Sequence, residues 1–250
     1  MRTLLRIDAS AQLPDRSITR RLTTLFFDRY LSLDPAARVL TRDVGRDPIP
    51  AIDHRWIHAA FTPPTEREAW MDERLALSDT LIDEIVSADL LVMGVPMYNY
   101  GLPASLKGWI DQVARIGRTF SFDLDRGDVP IEPILEGKRL VVLSSHGEFG
   151  FSPGGMRAHL NALHPALAAC AHYFGVAAGA IDTVSVEYQE FKDHRHAASL
   201  ADAEAATVAL ADRLAVHISG AGDRDEQRQP LICATAGPDD PRRPMDFPNG

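Results

Sequence analysis

Along the chain, short apolar runs alternate with longer segments whose apolar residues recur at helical spacing. Thr3 to Asp8 (TLLRID) is the first run. A polar, proline-containing loop follows it, and Ser17 to Leu33 then carries Ile18, Leu22, Leu25 and Phe26 along one helical face. Ala37 to Val44 (ARVLTRDV) reads as a second strand, and the GRDPIP stretch behind it has the glycine and prolines of a connection. From Thr65 to Ser87, Met71, Leu75, Ile82 and Ile85 form a stripe that Leu81 and Val86 widen, so a helix is expected with one face on a sheet. Leu90 to Val95 (LLVMGV) is continuously apolar between Asp89 and Pro96, the pattern of a strand buried on both faces of a parallel sheet. After a PMYNYG loop, Pro103 to Ile116 predicts a helix with proline in its first turn, where the missing N–H costs nothing. Arg139 to Ser144 (RLVVLS) repeats the buried-strand pattern, and a long glycine-rich loop, SHGEFGFSPGG, comes next. Met156 to Phe174 is read as a helix, Ala180 to Val186 as a fifth strand, and Leu200 to Ile218 as an alanine-rich helix with Leu210 and Leu214 inward.

Five strands alternating with helices call for a doubly wound parallel α/β sheet, because parallel strands need crossover helices and these crossovers are right-handed. The flavodoxin-like order 2-1-3-4-5 fits the count. In that order the crevice lies beyond the carboxyl ends of the strands, so the loops after strands 1, 3 and 4 are expected to converge on a ligand. Residues 1–218 make up one such domain. Residues 219–250 are rich in proline, glycine and charge without periodicity and read as a tail, with Leu231, Ile232, Met245 and Phe247 available to pin it to a surface.

Composition narrows the function classes. At 250 residues, 45% hydrophobic and 24% charged, the chain has the make-up of an ordinary soluble enzyme, and its apolar runs are too short to span a bilayer. Arg6 and Asp8 interrupt the first apolar stretch, which therefore reads as a strand and not a signal peptide, and a cytoplasmic location is expected. A net charge of −9 argues against general nucleic-acid binding. Cys170 and Cys233 lie far apart and read as structural thiols. His194 and His196 have no Cys/His cluster to complete a tetrahedral site, so no metal is expected.

The first loop, DASAQLPDRSIT, offers the hydroxyls of Ser10, Ser17 and Thr19. Ser17 stands where the next helix begins, so the helix N-terminus can add to phosphate binding, with Arg16 nearby. From this loop alone, Ser17 as a plain N-cap and Ser10 as a turn residue is the competing reading. No GxGxxG or GxxxxGK pattern is present.

The second loop and its flank, PMYNYGLPASLKGWIDQVARIGRTFSF from Pro96 to Phe122, closely resemble the central signature of the FMN-dependent NADH-azoreductase and NAD(P)H:quinone oxidoreductase family. The MYN core, the following proline, the SLK segment, the ID pair and the ARxGxTF run all stand in register. The resemblance implies that Met97, Tyr98, Asn99 and Tyr100 line the isoalloxazine of FMN. Apolar and aromatic packing suits the flat ring, and fixed donors suit its polar edge. It also implies that Ser10, Ser17, Ile18 and Thr19 hold the phosphate. Ser145, His146, Gly147 and Glu148 map onto the family's Ser-Arg-Gly-Gly segment, with its flavin-pyrimidine contacts. His146 stands where arginine is usual and Glu148 where glycine is usual. An unscreened Glu148 would disfavour a reduced flavin anion, and His146 is expected either to offset that charge, to donate a proton to a quinone, or to be a plain loop histidine.

By the same resemblance the chain is a homodimeric enzyme. NADH or NADPH passes hydride to flavin N5 and leaves, a quinone or azo compound takes its place to accept it, and no side chain is an essential catalyst. The alternatives are a flavin reductase for another aromatic acceptor and a non-enzymatic flavodoxin-type electron carrier.

Overall fold

The protein's computed structural model describes residues 1–217. Seven strands, β1 (Thr3–Asp8), β2 (Arg38–Asp43), β3 (Leu90–Pro96), β4 (Phe120–Phe122), β5 (Ile131–Pro133), β6 (Lys138–Ser145) and β7 (Val176–Val186), are joined through six helices. The helices are α1 (Ile18–Leu33), α2 (His54–Phe61), α3 (Ala69–Ser87), α4 (Ala104–Val113), α5 (Leu163–Cys170) and α6 (His194–His217). Five strands make one parallel sheet in the order β2-β1-β3-β6-β7, which is the expected 2-1-3-4-5 order with a two-stranded hairpin, β4–β5, inserted ahead of β6.

Side-chain alternation along the strands divides the core into two layers. Leu5, Ile7, Leu91, Met93, Val95, Leu140 and Val142 pack with Leu81, Ile82 and Ile85 of α3, Leu106 and Trp109 of α4, and Leu163 and Leu167 of α5. On the other face, Leu4, Leu90, Val92, Val141 and Leu143 meet Leu22, Phe26 and Tyr30 of α1 and Leu210 and Leu214 of α6. β3 lies in the middle and every one of its residues is buried, which is why LLVMGVP has no polar alternation.

The structure adds one helix and redraws four boundaries. The 45–64 connection contains α2, capped by the Asp53 side chain accepting from the Trp56 N–H at 2.8 Å and seated on Met71 and Leu75 of α3. Prolines 63 and 64 break the continuity, so α3 starts at Ala69 and not at Thr65. Within the span read as one helix from Met156 to Phe174, the Asn161 carboxamide accepts from the N–H groups of Leu163 and His164 and starts a separate α5. Two short 3₁₀ turns, Ala158–Leu160 and Ala171–Phe174, flank it. Asp193 accepts from the Arg195 N–H at 2.9 Å, and α6 starts at His194, six residues before Leu200. β7 begins at Val176. As an edge strand its first half is exposed and small, AAG, and gives no apolar signal. Gly175 before it has φ 75° and lies where a Cβ would meet the Leu135 and Glu136 backbone at 2.9 Å, so only glycine fits there. The tail at 219–250, with Cys233, lies outside the described residues.

Candidate functional site

The carboxyl ends of β1, β3 and β6 finish level. Asp8 is opposite Gly94, the Ala9 N–H donates to the Gly94 carbonyl at 2.9 Å, and Pro96 is opposite Ser145. The loops that leave them therefore start side by side.

In the first loop, Ser10, Ser17 and Thr19 are all buried. Ser17 caps α1 by accepting from the Arg20 N–H at 3.3 Å, and its hydroxyl lies 3.3 Å from that of Thr19. First-turn N–H groups have no carbonyl four residues back. With that of Arg20 taken, those of Ile18 and Thr19 are the donors left at the positive end of the helix. Ser10 turns the loop by accepting from the Gln12 N–H at 3.2 Å. The capping reading of Ser17 is what the structure shows, and the cap leaves its hydroxyl in a cluster of buried hydroxyls.

A charged cluster supports this loop from below. Arg20 donates to both Asp43 oxygens, at 2.6 and 2.7 Å, and to the Ser10 carbonyl at 2.7 Å. Burial works to raise the Asp43 pKa, but the hydrogen bonds and charge of Arg20 hold it below the ordinary carboxylate value. Arg6 pairs with Asp8 at 2.7 Å and Thr23 donates to the other Asp8 oxygen at 2.8 Å. Arg20 is thus a scaffold for the loop. Arg16 extends into solvent, 3.9 Å from Asp15. Gly45, after β2, presses on the same loop: a Cβ there would lie 2.0 Å from the Ser10 carbonyl oxygen.

The second loop is a tight turn. Tyr98 and Gly101 exchange N–H to carbonyl bonds at 3.1 and 3.0 Å, and the two residues between them, Asn99 and Tyr100, have φ of 48° and 67°. Two successive positive φ values mark the type I′ arrangement, which favours Asn and Gly and costs a tyrosine of the order of 1–2 kcal/mol. The strain is held by ties to both neighbours. The Ala11 N–H donates to the Tyr98 hydroxyl at 3.2 Å, the Ala162 N–H to the Tyr100 carbonyl at 2.9 Å, and the Tyr100 hydroxyl to Glu148 at 3.2 Å. The result is that two aromatic side chains stand partly exposed at the sheet end while Met97 packs against the core.

In the third loop Ser145 is buried and its carbonyl accepts from the Met97 N–H at 2.9 Å. The His146, Gly147 and Glu148 carbonyls accept from Gln189, Glu190 and Tyr188, which fastens the loop to the segment after β7. The His146 imidazole is 2% exposed and belongs to an internal network. Asn161 donates through Nδ2 to His164 Nδ1 at 3.0 Å, which leaves His164 to donate through Nε2 to Ser144 Oγ at 3.3 Å. Ser144 Oγ lies between His146 Nε2, also at 3.3 Å, and Ser185 Oγ at 2.8 Å. Among the described residues His146 Nδ1 has no hydrogen-bond partner; it faces Glu187 Oε1 at 3.9 Å, an oxygen that accepts from the Gly150 and Phe151 N–H groups. Burial drives the pKa of His146 down to about 4, and that of His164 likewise to about 4, with the His146 charge adding to it. Both are neutral at pH 7.

His146 therefore does not offset the charge of Glu148. Arg157 does: its Nε lies 3.2 Å from Glu148 Oε1. Sequence reasoning missed Arg157, Gly45 and Arg20, because each acts through a tertiary contact with no motif around it. A cavity of about 1040 Å³ opens behind the third loop, between β7, α5 and α6, and is lined by His146, Phe151, His164, Glu187 and Tyr188 among others; the side chains of Tyr98 and Tyr100 are not part of its wall.

The arrangement offers buried hydroxyls at a helix N-terminus for a phosphate, and an exposed aromatic turn beside them for a flat ring. Comparison with known proteins identifies the family and the fold. Residues 2–211 match the family described as Flavodoxin_2, flavodoxin-like fold. The FMN-dependent NADH:quinone oxidoreductase 2 of Colwellia psychrerythraea is 47% identical over 209 residues, covering 81% of this chain and 94% of its own. The FMN-dependent NAD(P)H:quinone oxidoreductase 1 of Pseudomonas aeruginosa is 40% identical over 84% of this chain and 99% of its own. Among solved structures, an FMN-dependent NADH-azoreductase from Bacillus anthracis in complex with FMN superposes with a TM-score of 0.75 at 19% identity, over 86% of this chain and all of that one. By matching along most of its length, the chain belongs to the flavodoxin-like fold family, alongside the FMN-dependent NADH:quinone oxidoreductases.

Proposed function

We propose that this protein is an FMN-dependent NADH:quinone oxidoreductase. The observation that carries the reading is the joining of two unlike half-sites: the Tyr98 hydroxyl takes the Ala11 N–H, and so fixes the exposed aromatic turn beside the buried Ser10, Ser17 and Thr19 hydroxyls. The names of the relatives at 40–47% identity supply the substrate class. The residues fit FMN: a dianion matches three hydroxyls and the two open N–H groups at the start of the 16-residue α1, and Met97, Tyr98, Asn99 and Tyr100 offer a surface for the ring.

FMN supplies the two-electron hydride chemistry, and the protein supplies its placement. Ser10, Ser17, Ile18 and Thr19 hold the phosphate end. Tyr98 and Tyr100 would cover the ring and exclude water from it, and the backbone at Ser145, Gly147 and Glu148 would supply contacts to its polar edge. His146 is neutral, buried and turned into its network, so the protons that complete quinone reduction come from solvent. No side chain is needed as a base. NADH is the proposed reductant, taking turns with the quinone at one position over the ring, and azo compounds are secondary acceptors.

The working form is a homodimer. Supporting this, α2 presents Ile57 to solvent, and the β4–β5 hairpin presents Leu124 and Val129. No described helix is long and apolar enough to cross a membrane, and NADH as the proposed reductant supports a cytoplasmic location. Purified protein that is yellow, releases FMN on denaturation and oxidises NADH with a quinone panel supports the reading. FMN-loaded protein that turns over no quinone removes the substrate class, and FMN-bound protein inert to NADH would instead indicate an electron carrier.

A further inference from the structure

Glu148 and Arg157 form a link that the reaction described above does not use. The Glu148 carboxylate accepts from the Tyr100 hydroxyl at 3.2 Å through Oε2 and pairs with Arg157 Nε at 3.2 Å through Oε1. It thereby ties the tip of the second loop to the third loop, the two loops between which the ring is placed. Arg157 is held rigidly. Its Nη1 donates to the Phe149 carbonyl at 3.2 Å, its backbone N–H to the Gly150 carbonyl at 2.9 Å, and its guanidinium lies 4.6 Å over the Phe149 ring. Phe149 stacks on Tyr188 at 4.5 Å and 14°, and Arg195 covers the Tyr188 ring at 5.0 Å. The four side chains form a stack, cation, ring, ring, cation, which fixes the guanidinium better than an exposed ion pair would.

Hydride transfer to a flavin brings two electrons and one proton, so the ring gains one negative charge. A lone carboxylate beside it would oppose that change, and a carboxylate neutralised by a fixed cation would not. Resting on the FMN reading above, we propose that Arg157 is a charge-balancing and positioning residue for the flavin. It cancels Glu148 and so sets the reduction potential, while Glu148 keeps Tyr100 in its strained conformation.

The test is a charge cycle on the FMN-loaded protein: wild type, Arg157→Gln, Glu148→Gln and the double variant, with Arg157→Lys as the charge-conserving control. The readouts are the two-electron flavin potential and FMN affinity by fluorescence. Arg157→Gln leaves one unpaired negative charge and is expected to weaken binding of reduced relative to oxidised FMN about tenfold, a fall of about 30 mV for a two-electron couple. Glu148→Gln raises the potential, the double variant returns towards wild type, and Arg157→Lys stays near wild type. A merely structural role would make the double variant no better than the worse single one, and that outcome overturns the inference. Equal potentials across the cycle, in variants that bind FMN and melt like wild type, overturn it too while leaving the FMN reading intact. Wild-type protein that fails to bind FMN overturns both.

Discussion

Gly45→Ala is the perturbation whose consequence can be worked out most fully. Position 45 does not use a left-handed φ, so alanine is barred there by space alone. Its Cβ would stand 2.0 Å from the Ser10 carbonyl oxygen and 2.5 Å from the carbonyl carbon. Both are backbone atoms that cannot rotate away, so the first loop must retreat by about 1 Å, and overpacking of this kind costs roughly 1–3 kcal/mol. For a domain of this size that is a fall in Tm of roughly 2–12 °C. The same carbonyl accepts from Arg20, which is locked to Asp43, so the displacement cannot be absorbed beneath the loop and passes to the Ser10 hydroxyl. Losing one hydrogen bond to a charged phosphate costs about 1.5–3 kcal/mol, which lowers FMN affinity about 10- to 150-fold. Flavin fluorescence titration of apoprotein gives the affinity, and circular dichroism melting gives the stability. Gly179→Ala is the control, since nothing lies within 4 Å of a Cβ there. If Gly45→Ala binds FMN as tightly as wild type, Ser10 has no part in holding the cofactor.

Other substitutions probe other parts of the site. Tyr98→Phe leaves the Ala11 N–H without its acceptor and is expected to weaken FMN binding by roughly 2- to 10-fold with little change in Tm; unaltered affinity would mean that this bond does not join the two half-sites. His146 binds its proton near pH 4 when folded and near 6.5 when unfolded, so its contribution to stability is complete above pH 6.5 and is lost as pH falls towards 4. The loss is roughly 3 kcal/mol at full titration. Urea melts between pH 7 and 4.5 should show this slope flattened in His146→Gln, and identical slopes in the two proteins would refute the neutral assignment. Asn161→Ala removes the carboxamide that accepts from the first two N–H groups of α5 and donates to His164, and should cost about 1–2 kcal/mol in the same melts; a loss below 0.5 kcal/mol, on the order of a surface substitution, would show that these bonds carry no weight.

The sheet was legible because buried parallel strands announce themselves. LLVMGV and RLVVLS can hardly be anything else, and TLLRID follows the same pattern more weakly. α2 was not, since HRWIHAAF buries only Trp56, Ala59 and Ala60 while Arg55 and Ile57 alike face outwards, and the prolines on either side make the whole stretch read as a connection. The first half of β7 was hidden for an opposite reason: an exposed edge needs no apolar face, so Ala177, Ala178 and Gly179 carry no pattern. For the candidate site, residue types and loop positions were readable, and side-chain direction was not. His146 and Glu148 were both legible as unusual residues in the third loop. That the imidazole turns inwards towards Ser144 and Glu187 depends on β7 and α5, and the partner of Glu148 sits nine residues downstream, on a segment read as helix. Loop residues pair according to the fold that closes around them, and no periodicity encodes that.

The most direct test of the FMN site compares FMN with riboflavin, which has the same ring without the phosphate. Apoprotein is titrated with each, in the wild type and in a Ser17→Ala/Thr19→Ala variant. Two charge-assisted hydrogen bonds at a helix N-terminus are at stake. The wild type is expected to prefer FMN by at least about a hundredfold, and the variant to lose most of that preference through FMN alone, with riboflavin affinity unmoved. Equal affinity of the wild type for the two flavins, or a variant that weakens both alike, would contradict a phosphate held by Ser17 and Thr19 at the start of α1.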